Sequence, residues 1–205
     1  MSKIIKNAVF DIGMVLIDFA WRATMVESGF DEKCIKTLDE GFVNDELWDE
    51  LDLGVMEEKD VIEEAVRRFG EYEKEIRFFY DNLIKTVRPY PYSETWLKNL
   101  KERGFNVYLL TNYPDSLFKK SVESAFPFYP YVDGEVVSSR VKIRKPNEGI
   151  YKALFEKYNL KPEECVFFDD RIINVEAAKK LGMNAFVFEG YEKAVSDLDK
   201  LVNGQ

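Results

Sequence analysis

Ala8-Val9-Phe10-Asp11-Ile12-Gly13-Met14-Val15-Leu16 decides how the rest of the chain is read. It opens as a short apolar strand and ends on a carboxylate, with a glycine two residues later. In open α/β sheets, ligands bind at the carboxyl ends of the strands. Asp11 therefore stands where a nucleophile or a metal ligand would stand. Taken alone, it reads more readily as a strand-end turn residue, because Asp and Gly are ordinary there, and it is the later stretches ending the same way that overturn this.

Working outward, β/α alternation resumes after Arg88-Pro89-Tyr90-Pro91-Tyr92, a punctuating stretch. The first strand is expected over 4–11. Later strands are expected over 105–110, 134–137, 165–168 and 184–188. Helices are expected over 93–103, 115–125, 174–181 and 192–202, with one more opened by Lys145-Pro146, where proline suits the first helical position. The pattern predicts an α/β fold with a Rossmann-like parallel sheet and helices on both faces. Between the first strand and Arg88 lies a helical region with stripes such as Val61, Ile62, Ala65, Val66 and Phe69. Helices are expected from Asp31, over 44–51, over 57–69 and over 75–87. This region reads as a helical cap inserted after the first strand. The expected division is 1–17 with 90–205 as the core, and 18–89 as the cap, hinged at its two connections.

Composition narrows the chemistry. The 205 residues carry a net charge of −9, from 29 basic and 38 acidic side chains, which argues against a nucleic-acid partner. An anionic substrate would need local cations, and a divalent metal is the simplest source. There is no histidine, which removes Ser-His-Asp and Cys-His catalysis. Cys34 and Cys165 read as reduced packing residues. No apolar run reaches membrane-span length, and residues 1–6 lack a signal-peptide layout, so a cytoplasmic address and no membrane partner are expected.

Four segment ends deliver polar groups to one rim: Asp11, Thr111, Lys145 and the pair Asp169-Asp170. Each alone has a bland reading as a cap or surface residue. Together they suit phosphoryl transfer through an aspartyl-phosphate. Asp11 would attack phosphorus. Mg²⁺ would be held by Asp11, Asp170 and the Gly13 carbonyl, with some waters kept. Thr111, with Asn112 beside it, would hold phosphate oxygens, and Lys145 would balance their charge and orient the nucleophile. A receiver domain uses similar residues, but its acid pair comes first in the chain.

Phe10-Asp11-Ile12-Gly13-Met14-Val15-Leu16, Leu109-Leu110-Thr111-Asn112, Arg144-Lys145-Pro146 and Val166-Phe167-Phe168-Asp169-Asp170 resemble the four motifs of the haloacid dehalogenase-like hydrolase superfamily. The likeness covers nearly the whole chain and looks nearest to a bacterial sugar-phosphatase branch that includes α-glucose-1-phosphatases. It implies Mg²⁺ and hydrolysis of a small phosphorylated metabolite. By motif, Asp11 is the nucleophile, Thr111 the phosphate-binding hydroxyl, Lys145 the motif-three lysine and Asp170 the metal acid. Asp169 is either a metal acid or one that supports the ligands from behind.

One position departs from that pattern. The phosphatases usually carry a second Asp two residues after the nucleophile, as general acid and base, and here Gly13 stands there. A cap residue or water, or a good leaving group, would have to compensate. The alternative is a non-catalytic or weakly active phosphate-binding protein. Dehalogenation is disfavoured by the retained acids, and phosphonate hydrolysis by the lack of a distinctive cap lysine. Trp48 is expected to pack, and Trp21 is open between packing and pocket. The sequence leaves oligomeric state open.

Overall fold

The structure, a computed structural model, describes residues 5–204; Ile4 and the N-terminal residues before it, on which part of the first-strand and leader expectations fall, lie outside them. Strand β1 is Asn7–Phe10, buried along its whole length. After it come β2 (Ile17–Phe19), helices α1 (Trp21–Glu27), α2 (Glu32–Leu38), α3 (Glu46–Leu53), α4 (Glu58–Arg68) and α5 (Glu73–Asp81), and strand β3 (Val87–Pro89). Then follow α6 (Ser93–Glu102), β4 (Asn106–Thr111), α7 (Asp115–Ser124), β5 (Gly134–Val137), α8 (Ser138–Val141) and α9 (Glu148–Tyr158). The chain finishes with β6 (Cys165–Asp169), α10 (Ile172–Lys180), β7 (Asn184–Val187) and α11 (Tyr191–Asn203).

The main sheet is five-stranded and parallel, in the order β5-β4-β1-β6-β7. Its inner strands are near-continuous apolar runs because both faces are covered. Side chains alternate across the pleat. Ala8 and Phe10 join one apolar cluster with Trp96 and Phe168, and Val9 joins the other with Tyr151 and Phe167. From β1 the chain builds outward through β4 to β5 on one side, then crosses over to β6 and β7 on the other. That arrangement opens a crevice at the carboxyl end of β1, beside Asp11.

The helical stretch leaves and rejoins this sheet through a second, two-stranded sheet. β2 and β3 pair antiparallel, with Ile17 opposite Pro89 and Phe19 opposite Val87. Tyr90 N–H donates to the Leu16 carbonyl at 3.0 Å, and Ala20 N–H to the Thr86 carbonyl at 2.8 Å. The two crossings are thus tied side by side. Asp31 and Asp45 cap α2 and α3, their side chains accepting from Cys34 and Leu47 N–H.

Several boundaries differ from the sequence expectation. The helix expected to reach residue 87 ends at Asp81, where the Asn82 side-chain amide and backbone N–H both donate to the Phe78 carbonyl. Residues Leu83–Thr86 form a 3₁₀ turn, and Val87 enters β3. Pro146 is not a first helical residue. Asn147 caps α9, accepting from Gly149 N–H at 2.9 Å, and the Lys145–Pro146 peptide before it is cis. The short helix α8 was not expected at all. Among the described residues, no helix is long and apolar enough to cross a membrane.

Candidate active site

Asp11 follows β1 in the crevice, and its Oδ1 accepts from Ile12 N–H at 2.7 Å. The same oxygen lies 2.8 Å from Lys145 Nζ, which also meets Asp169 Oδ2 at 2.7 Å. This ammonium is 1% exposed and pairs with both acids. Burial alone would depress a lysine, but the two carboxylates outweigh it and raise the Lys145 pKa. Burial lifts the Asp11 carboxyl to about 7, with Lys145 pulling it down and Asp169 adding repulsion. Asp170 is likewise raised, by burial first and then by Asp169.

Backbone contacts fix the lysine. Lys145 N–H donates to Asn112 Oδ1 at 2.8 Å, and Asn112 Nδ2 donates to the Lys145 carbonyl at 3.1 Å. The Asn112 amide therefore clasps the backbone of Lys145 in both directions. Asn112 also lines the cavity, so its expected contact with phosphate would have to come from the remaining amide proton. Asp169 is held by Arg171 N–H at 2.9 Å and by Asn174 Nδ2 at 2.9 and 3.1 Å. Both of its oxygens are thereby occupied, whereas Asp170 is partly open and lines the cavity. The loop after β4 is fixed by α8: Tyr113 N–H donates to Ser138 Oγ, and Ser139 Oγ donates to the Tyr113 carbonyl.

Asp11, Asp169 and Asp170 each offer an oxygen, and these oxygens lie within 4.8 Å of one another. Three carboxylates this close repel strongly, and one ammonium offsets only part of that. A hard divalent cation fits such a donor set. Two buried polar atoms also lack a partner among the described residues, Thr111 Oγ1 and Asn174 Oδ1. Such atoms are costly unless a ligand or water satisfies them. Asn174 lines the cavity; Thr111 ends β4 beside the wall residues Asn112 and Tyr113.

The cavity above these groups holds about 800 Å³. Gly13, Arg144 and Arg171 also line it. Arg144 pairs with Asp49, and Arg171 makes no ion pair among the described residues. Phe19, Trp21, Trp48, Glu46, Asp49 and Asp52 come from the helical stretch. Trp48 packs against Phe19 and Phe42 and also faces the cavity, so packing and lining coexist. Trp21, open in the sequence, is a lining residue.

Sequence reasoning missed Asp52, Arg171 and the serine pair of α8. Asp52 belongs to the run Leu51-Asp52-Leu53-Gly54, and its one signal was an acid among leucines just before a helix-ending glycine.

The model of the haloacid dehalogenase-like hydrolases matches residues 5–182. A sesquiterpene phosphatase of Aspergillus oryzae is 28% identical over 183 residues, covering 89% of either chain. The crystal structure of a HAD family enzyme from Bacteroides thetaiotaomicron superposes with a TM-score of 0.77 at 25% identity, over 95% of this chain and 99% of that one. A second structure of that enzyme, in complex with magnesium and inorganic phosphate, gives 0.74 at 24% identity, over 93% and 98%. The rim of carboxylates about one buried lysine, on this sheet order, thus sits in a chain that belongs to the haloacid dehalogenase-like hydrolases.

Proposed function

We propose that the chain is a Mg²⁺-dependent phosphatase that hydrolyses a small phosphate monoester through a phosphorylated Asp11. One observation carries this reading: the Lys145 ammonium bridges Asp11 and Asp169 while Asp170 completes three acids within reach of one cation. The free Oδ2 of Asp11 is the attacking atom, since Oδ1 is held by Ile12 N–H and Lys145. Lys145 keeps the carboxylate oriented and offsets the phosphoryl charge. Asp170, Asp11 and the Gly13 carbonyl would hold the metal, with Asp169 supporting from behind because its oxygens are already engaged. Bound there, Mg²⁺ would supply positive charge that lets a carboxylate approach a phosphate. The buried Thr111 hydroxyl, without a partner among the described residues, is offered to a phosphate oxygen, and Arg171, which makes no ion pair among them, adds a cation to the cavity wall.

Residues 18–89 act as a cap that closes over 1–17 and 90–205. The paired crossings β2 and β3 form its hinge, and α3 seats on α8. The cap wall presents the rings of Phe19, Trp21 and Trp48 beside the acids Glu46 and Asp49. Ring faces and carboxylates together suit a sugar, whose C–H face stacks and whose hydroxyls donate, so a sugar phosphate such as glucose 1-phosphate is the favoured substrate. One feature supports the second reading, a phosphate binder with weak turnover: Gly13 brings no acid two residues after Asp11.

The test is turnover of p-nitrophenyl phosphate and of a panel of sugar phosphates with Mg²⁺, in wild type and Asp11→Asn. The expected result is hydrolysis lost in the variant. Wild-type protein that binds phosphate but turns over no ester would establish the binding reading instead.

A further inference from the structure

The chemistry lacks a proton donor at its usual place, and the cavity holds several acids that could replace it. Asp49 is paired with Arg144. Asp45 caps α3 and meets Arg68. Glu46 is exposed, and Asp169 has both oxygens filled. Asp52 differs from all of these. It lines the cavity with Asp11, it is buried, and among the described residues nothing hydrogen-bonds or pairs with its carboxyl group.

Its backbone is, by contrast, firmly held. The Asp52 carbonyl accepts from Ser138 Oγ at 2.5 Å. Two residues on, the Gly54 carbonyl accepts from the Lys142 ammonium. Gly54 ends α3 in a left-handed conformation (φ 60), and an added Cβ there would lie 2.9 Å from the Ser139 carbonyl. The last turn of α3 is therefore clamped on α8, the same short helix that fixes the loop after Thr111. A carboxyl group that lines the same cavity as the nucleophile is thus carried by contacts that leave its own oxygens free.

We propose that Asp52 is the general acid and base of this site, delivered from the helical stretch in place of the residue absent at Gly13. This inference rests on the phosphatase reading above. In the first step an Asp11 oxygen bonds to phosphorus and the P–O ester bond breaks. The departing oxygen keeps the electron pair and takes the Asp52 proton, so an alcohol leaves and Asp52 becomes a carboxylate. In the second step a water oxygen bonds to phosphorus while Asp52 takes its proton. The Asp11–phosphorus bond breaks, its electrons return to the Asp11 carboxylate, and inorganic phosphate is released with Asp52 protonated again.

The surroundings favour the protonated starting state. Burial pushes the Asp52 carboxyl up to about 8, and Asp11 adds to this, while Lys145 and Arg171 oppose it. Its place in the last turn of α3 acts the same way, because a helix C-terminus disfavours negative charge.

The experiment compares Asp52→Asn and Asp52→Glu with wild type on two esters in the presence of Mg²⁺. An alkyl phosphate needs its leaving oxygen protonated, whereas nitrophenolate departs without a proton. Loss of a general acid should lower alkyl phosphate turnover in Asp52→Asn by about 10²–10⁴-fold. With p-nitrophenyl phosphate, the same variant should release one equivalent of nitrophenol in a burst and then stall, since no base activates water. Asp52→Glu should recover part of the alkyl activity. Equal losses on both esters without a burst, or full alkyl activity in Asp52→Asn, overturns the proposal while leaving the phosphatase reading intact. A wild type inert toward both esters overturns both. Asn matches neutral Asp in size, and a circular-dichroism melt verifies that each variant is folded.

Discussion

Lys145 is the residue on which both stability and chemistry converge, and Lys145→Met separates its charge from its bulk. The substitution keeps an unbranched stem and removes an ammonium that lies 2.8 Å from Asp11 and 2.7 Å from Asp169. Asp169 is fully buried and Asp11 is 8% exposed, so neither regains water. Removing one partner from a buried pair costs about 3–5 kcal/mol, because the remaining charge is left uncompensated. For a chain of this length each kcal/mol is worth about 2–4 °C, so the midpoint should fall by about 6–20 °C near neutral pH. The pH dependence has a definite sign. Burial already raises the Asp11 carboxyl and Lys145 opposes this, so without the ammonium its folded-state pKa stands further above the unfolded one. The penalty is then full at high pH and fades as pH falls through the raised value. Thermal melts of both proteins with a chelator present, at about pH 8 and about pH 5, would follow it. The gap should narrow by at least about half at the lower pH. A gap under about 1 kcal/mol at the higher pH, or one that ignores pH, refutes the account of a buried pair held by this lysine.

Thr111→Val should split stability from binding. It removes a buried hydroxyl that has no partner, so the melting midpoint should hold or rise, while phosphate inhibition weakens by about tenfold or more. Gly54→Val should cost about 1–3 kcal/mol in chemical denaturation, from its left-handed backbone and the approach to Ser139. Asn112→Ala should lower kcat by about 10–100-fold while leaving KM nearly unchanged, because its amide holds the Lys145 backbone from both sides. Chelation should abolish turnover, and Mg²⁺ should restore it.

The fold was legible because buried parallel strands leave an unusual trace. Val107-Tyr108-Leu109-Leu110 and Val166-Phe167-Phe168 are continuous apolar runs that end on polar groups, and the structure brings Asp11, Lys145, Asp169 and Asp170 to one rim. What was illegible depends on contacts between distant segments. β2 and β3 are three residues each and exist because each pairs with the other across the helical stretch. The end of α5 falls at an asparagine whose side chain and backbone N–H share the Phe78 carbonyl, a contact that periodicity does not register. Pro146 fits a helix start by its own geometry, yet Asn147 takes that role because its side chain can accept a backbone hydrogen bond. Asp52 shares α3 with several acids that face outward or pair, and only the seating of α3 on α8 reveals that this one does neither.

The β2–β3 ribbon bears on ancestry as well as motion. Because departure and return occur on adjacent, mutually bonded strands, everything between them is an excursion that the parallel sheet does not need for its continuity. A lineage could lengthen, shorten or exchange that excursion and keep the same phosphate-handling floor. The excursion here carries Asp52, so such an exchange would alter selectivity and proton supply together.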